Sequence, residues 1–200
     1  MRTTTFNCPA CQQKIEAPAE IGGQTVTCPT CGQSFIAPTA ETLGIRAFDL
    51  NIEEVLENWE VEHALREIIA NALDEQVISK TAEIEITKDD QGDWRIRDYG
   101  RGLQIEHFTL NENKEKLEAT QPVIGKFGVG LKDALATFHR RGVSVLIRSS
   151  FGTYRLKQEH KFGFDNIITL HIEYDDTPNE IVGTEFIVRG ITDADMAKWP

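Results

Sequence analysis

Glu67-Ile68-Ile69-Ala70-Asn71-Ala72-Leu73-Asp74-Glu75 is the stretch on which the reading of this chain turns. It lies in a run from Ile52 to about Gln76 that contains neither proline nor glycine. Val55, Leu56, Trp59, His63, Leu65, Ile68, Ile69, Ala72 and Leu73 recur along that run at helical spacing. The pattern predicts one helix, with Asn51 as its N-cap and Glu53 and Glu54 in its first turn, where acids complement the unpaired N–H groups. Glu67, Asn71 and Asp74 stand at i, i+4 and i+7, so their side chains share one polar stripe while Ile68, Ile69, Ala72 and Leu73 face largely elsewhere. Taken alone, such a stripe reads first as the solvated face of an amphipathic helix.

Two glycine-rich turns follow. Trp94-Arg95-Ile96-Arg97 alternates as a strand and runs into Asp98-Tyr99-Gly100-Arg101-Gly102, where the glycines permit a tight turn and a close approach of backbone to a ligand. Gly125-Lys126-Phe127-Gly128-Val129-Gly130 feeds a second helix that is expected to run to about Arg140 and stop at Gly142. Successive backbone N–H groups at such a helix start suit a phosphate. No Gly-Lys-Ser or Gly-Lys-Thr follows the glycines, and the glycine turn does not follow a first strand, so neither the Walker loop nor the dinucleotide fold applies.

In this order and at these separations the segments resemble the GHKL superfamily of ATPases, which includes gyrase, the heat-shock chaperone ATPases, histidine kinases and the mismatch-repair protein MutL. Glu67 to Glu75 looks like the N box of that family, Asp98 to Gly102 like its first glycine box, and Gly125 to Gly130 like its second. Gly183-Thr184 opens a late strand as a Gly-Thr pair does in the family. The resemblance spans residues 45 to 200 and implies an α+β fold, a two-layer α/β sandwich of Bergerat type with a mixed sheet and helices on one face. Segments 82–87, 94–97, 143–149, 153–158, 167–174 and 184–190 read as its strands.

The resemblance also implies roles. Glu67 would activate the water that attacks the terminal phosphate, and Asn71 would hold magnesium. Asp98 would accept from the adenine amino group, Gly102 would bring backbone close to the base, with Gly100 among the nucleotide-binding residues, and Thr184 would support Asp98. Asp74 would lie near the base pocket, and Glu75 with Arg101 would form an ion pair over it. Gly125, Phe127, Gly128, Val129 and Gly130 would give the phosphates backbone contacts, with Lys126 and Lys132 as candidate neutralising charges. Residues 103 to 124 would form the ATP lid. The implied activity is magnesium-dependent ATP hydrolysis, slow in isolation, coupled to lid closure and homodimerisation. The alternatives are an ATP-binding switch with negligible turnover and a histidine-kinase type of protein kinase, against which Glu67 speaks. A phosphate-contacting lysine from a separate transducer would complete the site.

Ahead of this body stand Cys8-Pro9-Ala10-Cys11 and Cys28-Pro29-Thr30-Cys31, two C-x-x-C pairs sixteen residues apart. That spacing matches a zinc ribbon in which four thiolates close one tetrahedral structural site. Fewer than forty residues cannot bury enough apolar surface to fold unaided, so zinc is expected to supply most of the ribbon's folding free energy. Pro38 and Gly44 flank a linker, giving a ribbon in 1–40 and a nucleotide-binding domain in 41–200.

Charge follows the same division. Lys plus Arg total 21 against 32 for Asp plus Glu, a net charge of −11, and residues 1–40 balance Arg2 and Lys14 against Glu16 and Glu20. An acidic body argues against a broad nucleic-acid surface, so the ribbon is expected to contact protein, and a local nucleic-acid contact stays open. Without an apolar run of about 18 to 20 residues or a signal-like start, the expectation is no membrane and a cytoplasmic location.

Overall fold

A computed structural model describes residues 3–39, 44–50, 52, 58–109, 124 and 130–198. They divide into two compact units, Met1–Arg46 and Ala47–Pro200. In the first, β1 (Thr3–Asn7) pairs antiparallel with β2 (Lys14–Pro18), and β3 (Thr25–Thr27) with β4 (Ser34–Ile36); a single 3-10 turn, Ala19–Ile21, lies between the hairpins.

The two hairpin turns are built alike. In one, the Cys8 N–H donates to the Gln13 carbonyl and the Gln12 N–H to the Cys8 carbonyl, both at 2.9 Å. In the other, Cys28 donates to Gln33 at 2.9 Å and Gly32 to Cys28 at 3.0 Å. Gln12 and Gly32 occupy the equivalent left-handed position, with φ of 61° and 72°. Glycine takes that conformation freely, whereas Gln12 takes it at a cost of about 1–2 kcal/mol. Phe6 meets Phe35 edge to face at 6.1 Å, and among the described residues Phe6 and Ala37 are the buried apolar side chains apart from Cys8 and Cys28.

The larger unit is α+β and dominated by one antiparallel sheet. Its elements in chain order are β5 (Ile45–Asp49, which begins just before the division), α1 (Val61–Ser79), β6 (Glu85–Lys88), β7 (Trp94–Arg97), a 3-10 turn (Ile105–Phe108), α2 (Gly130–Arg140), β8 (Ser144–Ser149), β9 (Gly152–His160), β10 (Ile168–Asp175), β11 (Thr184–Arg189) and the short α3 (Asp193–Met196). The seven strands run in the order β5-β10-β9-β8-β11-β7-β6. Every pairing from β10 through to β6 is antiparallel, where a mixed sheet was expected. The cause lies in the connections: β6–β7, β8–β9 and β9–β10 are joined by short turns, which return each strand beside its predecessor.

Register puts one apolar row across six strands. Ile86 pairs with Ile96, Ile96 with Phe186, Phe186 with Ile147, Ile147 with Tyr154, and Tyr154 with Tyr174. These side chains belong to the same core as Leu65, Ile68, Ile69 and Ala72 of α1 and Leu131, Leu135 and Phe138 of α2. Each fully buried aliphatic or aromatic side chain contributes about 1.5–3 kcal/mol relative to exposure. The alternate residues Glu85, Arg95, Arg97, Arg148, Arg155 and Glu185 carry charge on the opposite face, as period-two alternation requires.

Helix α1 starts later than the sequence pattern predicts. Asn51, Glu53 and Glu54 lie outside the described residues, and Asn58, Trp59 and Glu60 are not helical. The start is fixed by a reciprocal cap at Glu60: its side chain accepts from the backbone of His63, and its own N–H donates to His63 Nδ1 at 3.0 Å. Trp59 stacks on the His63 ring at 6.0 Å. The end comes at Ser79, with Lys80 in the left-handed conformation donating to the Gln76 carbonyl.

Candidate functional site

Helix α1 reaches two parts of the fold with two of its carboxylates, Glu67 and Glu75. Towards its start, Glu67 lies against the first residue of α2. A Cβ on Gly130 would stand 2.3 Å from Glu67 Oε2, so the close approach of this carboxylate to the helix start depends on glycine. Two turns later, Glu75 lies against the turn that follows β7. A Cβ on Gly100 would stand 2.2 Å from Glu75 Cγ, which is the packing reason for that glycine.

Arg101 closes on the same carboxylate. Its backbone N–H and Nε each donate to Glu75 Oε1 at 2.9 Å and its Nη2 to Oε2 at 3.0 Å, while Ser79 Oγ donates to Oε1 at 2.6 Å. Burial alone would push Glu75 up, but the Arg101 side chain and backbone, the Ser79 hydroxyl and the Arg101 charge outweigh it and hold the carboxyl at about 2. The expected Glu75–Arg101 ion pair is therefore present, in a fork-to-fork geometry that fixes the turn to the helix.

Asp98 is buried at the end of β7. Its Oδ1 accepts from the Gly100 N–H at 2.9 Å and the Thr184 N–H at 3.3 Å, and its own N–H donates to the Thr184 carbonyl at 2.9 Å. Burial pushes its carboxyl up; the Gly100 N–H opposes this, the charge of Glu75 adds to it, and the Thr184 backbone and hydroxyl oppose it again. Two glycines make the enclosure possible. Gly183 has φ of 81° and a Cβ there would stand 2.1 Å from the Asp98 carbonyl oxygen; Gly102 has φ of 91° and a Cβ would meet Ser150 Oγ at 2.3 Å.

Of the residues singled out in the sequence, Glu67, Asn71, Asp74 and Glu75 are thus on α1, Gly130 and Lys132 open α2, Asp98, Gly100 and Gly102 form one turn, and Thr184 begins β11. Asp98, Gly100 and Thr184 are directly linked, and Glu75 joins them through Arg101 and Gly100. Asp74 is buried on the helix and accepts from the Ile124 N–H at 2.6 Å. Gly125, Lys126, Phe127, Gly128 and Val129 lie outside the described residues.

Asp133 went unnoticed in the sequence. It stands one turn after Gly130 on α2, and burial raises its carboxyl, with the charge of Glu67 adding and Lys132 opposing. The i, i+3 spacing from Gly130 was the available signal.

In the small unit the four cysteines converge. Their sulfurs lie within 4.8 Å of one another, with Cys8 to Cys31 at 3.8 Å and Cys11 to Cys28 at 3.7 Å. Those separations are too long for disulfides, and tetrahedral zinc with bonds of about 2.3 Å places its sulfurs about 3.8 Å apart. The donor set therefore fits zinc. Backbone N–H groups of Cys31 and Thr30 aimed at Cys28 push its thiol down to about 6. At Cys11 the Gln13 N–H also acts downward, but burial and the neighbouring cysteines outweigh it and push that thiol up to about 12, so it is the sulfur geometry that carries the metal reading.

Comparisons with known proteins add a limited resemblance. No family model matches the chain. An uncharacterized protein of Mycoplasma pneumoniae is 41% identical over 158 residues, which cover 77% of this chain and 64% of that protein. The DNA gyrase B protein of Streptomyces coelicolor is 29% identical over 114 residues, covering 52% of this chain and 16% of the gyrase protein. The chain thus spans less than two thirds of either relative. The gyrase similarity is distant and partial, and it hints at the superfamily that the sequence motifs resemble.

Proposed function

We propose that the larger unit is a two-layer sandwich of GHKL type that binds ATP with magnesium and hydrolyses it, and that the small unit is a ribbon holding one structural zinc through Cys8, Cys11, Cys28 and Cys31. The observation that carries the nucleotide reading is the pair of carboxylates Glu67 and Glu75 on α1, which meet chemically different surroundings. Glu67 and Glu75 are eight residues apart, about 12 Å along a helix. At one end stand the buried Asp98 carboxylate and the glycine turn, suited to a base; at the other stands the start of α2, suited to phosphate. The distant similarity to gyrase B supports ATP binding.

At the base end, Asp98 retains acceptor capacity beyond its Gly100 and Thr184 partners, because an ionised carboxylate offers about four lone-pair sites. It would accept from the exocyclic amine of adenine and oppose the carbonyl that guanine carries at the same edge. Gly102 gives that base access to the backbone. At the phosphate end, Glu67 takes a proton from the attacking water as the new oxygen–phosphorus bond forms and the bond to the ADP oxygen breaks. Asn71, one turn from Glu67 and half-buried, would hold magnesium through its amide oxygen. Magnesium takes few protein oxygens, and when bound it supplies charge neutralisation across the phosphates. Gly125 to Gly130, Lys126 and Lys132 would complete the phosphate contacts, and ATP binding would drive lid closure and dimerisation.

Nucleotide binding and phosphate release measured on the full chain test the reading. Glu67→Ala is expected to keep ADP binding and lose turnover at least a hundredfold, and Asp98→Asn to lose adenine-nucleotide binding. Turnover unchanged in Glu67→Ala would remove it as the base, and undiminished binding in Asp98→Asn would remove the adenine assignment.

A further inference from the structure

Both backbone polar groups of Leu103 are held, and by three different strands. Its N–H donates to Thr184 Oγ1 of β11 at 2.9 Å. Its carbonyl accepts from Ser149 Oγ at the end of β8 at 2.7 Å and from the Tyr154 hydroxyl of β9 at 3.1 Å. Ser149 is fully buried and Tyr154 is 3% exposed, so both hydroxyls act where water competes little. Leu103 follows directly on Gly102, whose backbone rests on Ser149 and Ser150.

The bonds form a series that ends on Asp98. Ser149 and Tyr154 fix the Leu103 carbonyl; the Leu103 N–H holds the Thr184 hydroxyl; and the Thr184 backbone N–H donates to Asp98 Oδ1 at 3.3 Å. Burial, with the charges of Glu106, Tyr174 and Asp176, raises the Tyr154 hydroxyl to about 12, so it remains a donor across the neutral range. The Tyr154 ring has a second task. It packs against fully buried Phe108 at 5.3 Å, and Phe108 closes the 3-10 turn by which the chain leaves the glycine turn.

We infer that Ser149 and Tyr154 are positioning residues for base selection, orienting Asp98 through Leu103 and Thr184 so that its carboxylate meets an amino group and repels a carbonyl oxygen. The inference rests on the adenine reading of the Asp98 pocket. Selection depends on orientation because a carboxylate free to turn can relieve its contact with a guanine carbonyl, whereas one held at Oδ1 by the Gly100 and Thr184 N–H groups cannot. Neither hydroxyl touches the base.

The test is the ratio of ADP to GDP affinity, measured by titration calorimetry on the full chain alongside its melting temperature. Tyr154→Phe removes one hydroxyl and keeps the ring against Phe108; Ser149→Ala removes the other and leaves the ring untouched. Each is expected to lower the ADP-to-GDP preference about fivefold, as the loss of a hydrogen bond worth about 1 kcal/mol implies, chiefly by relaxing discrimination against GDP. A merely structural role would lower the melting temperature and leave the ratio unchanged, and that result in the folded variants overturns the inference. If one variant fails to fold, the other decides. A wild-type chain that prefers ADP while both variants keep its preference defeats the positioning role alone; a wild-type chain without ADP preference defeats the adenine reading and the inference with it.

Discussion

Residues 3–39 bury Phe6, Ala37 and two of four cysteines, while the larger unit buries a continuous core from Leu65 and Ile68 on α1 through Phe138 on α2 to Ile147, Ile172 and Val188 in the sheet. The small unit repeats one turn design twice and gathers four sulfurs at one point; the large unit spreads its cohesion over many side chains. In the first, removing one kind of atom should remove the fold, because metal-binding free energy is folding free energy. In the second, no single contact decides the outcome, and local changes should cost local amounts.

The largest expected effect breaks the small unit alone. Cys8→Ser with Cys11→Ser, or a strong chelator, should abolish bound zinc and the dispersed amide NMR signals of residues 3–39 while those of the larger unit persist; metal analysis with no zinc in the wild type would sink the metal reading. Next, Leu65→Ala in the core should destabilise the larger unit by about 2–5 kcal/mol in denaturant titration, with zinc content unchanged. A loss of zinc in that variant would show that the two units do not hold themselves independently. Gly183→Ala should cost about 1–3 kcal/mol, since its positive φ and the Asp98 carbonyl both resist a Cβ.

The smallest effect sharpens the contrast within the larger unit. Glu75 has a folded pKa of about 2, below its unfolded value, so its stabilisation is complete above the ordinary glutamate range and is lost as pH falls towards 2. Asp98 has the opposite sign: its folded pKa is raised, so its ionised form opposes folding at neutral pH, and acidification through the raised pKa relieves that opposition. Glu75→Gln should therefore cost about 1 kcal/mol at neutral pH and make acid unfolding shallower. Asp98→Asn should leave stability at neutral pH equal or higher. A destabilised Asp98→Asn would mean that its Gly100 and Thr184 bonds outweigh its burial.

The sequence made much of this arrangement legible because periodicity and glycine spacing are local signals. The two helices, six of the sheet's strands and the convergence of the cysteines could be read from them. The start of α1 could not, since apolar residues continue through Trp59 and only the Glu60–His63 cap ends the helix. Strand β5 is absent from the strands read in the sequence because Ile45–Asp49 is short and owes its place to pairing with β10. Gly100 looked like a turn glycine, yet what requires it is Glu75, a neighbour in space and not in sequence. Ser149 and Tyr154 escaped notice for the same reason: each reads as an ordinary strand residue until Leu103 is placed between them.

Asp74 holds the Ile124 N–H across fifty positions of sequence, and Phe108 is sunk in the core. Bringing such distant groups together costs closure entropy that grows with the logarithm of their separation, about 0.6 kcal/mol for each doubling, whereas the turns of α1 form between near neighbours. The helix is therefore expected to form before Asp74 acquires its partner, so the buried carboxylate is placed first and the chain is brought to it.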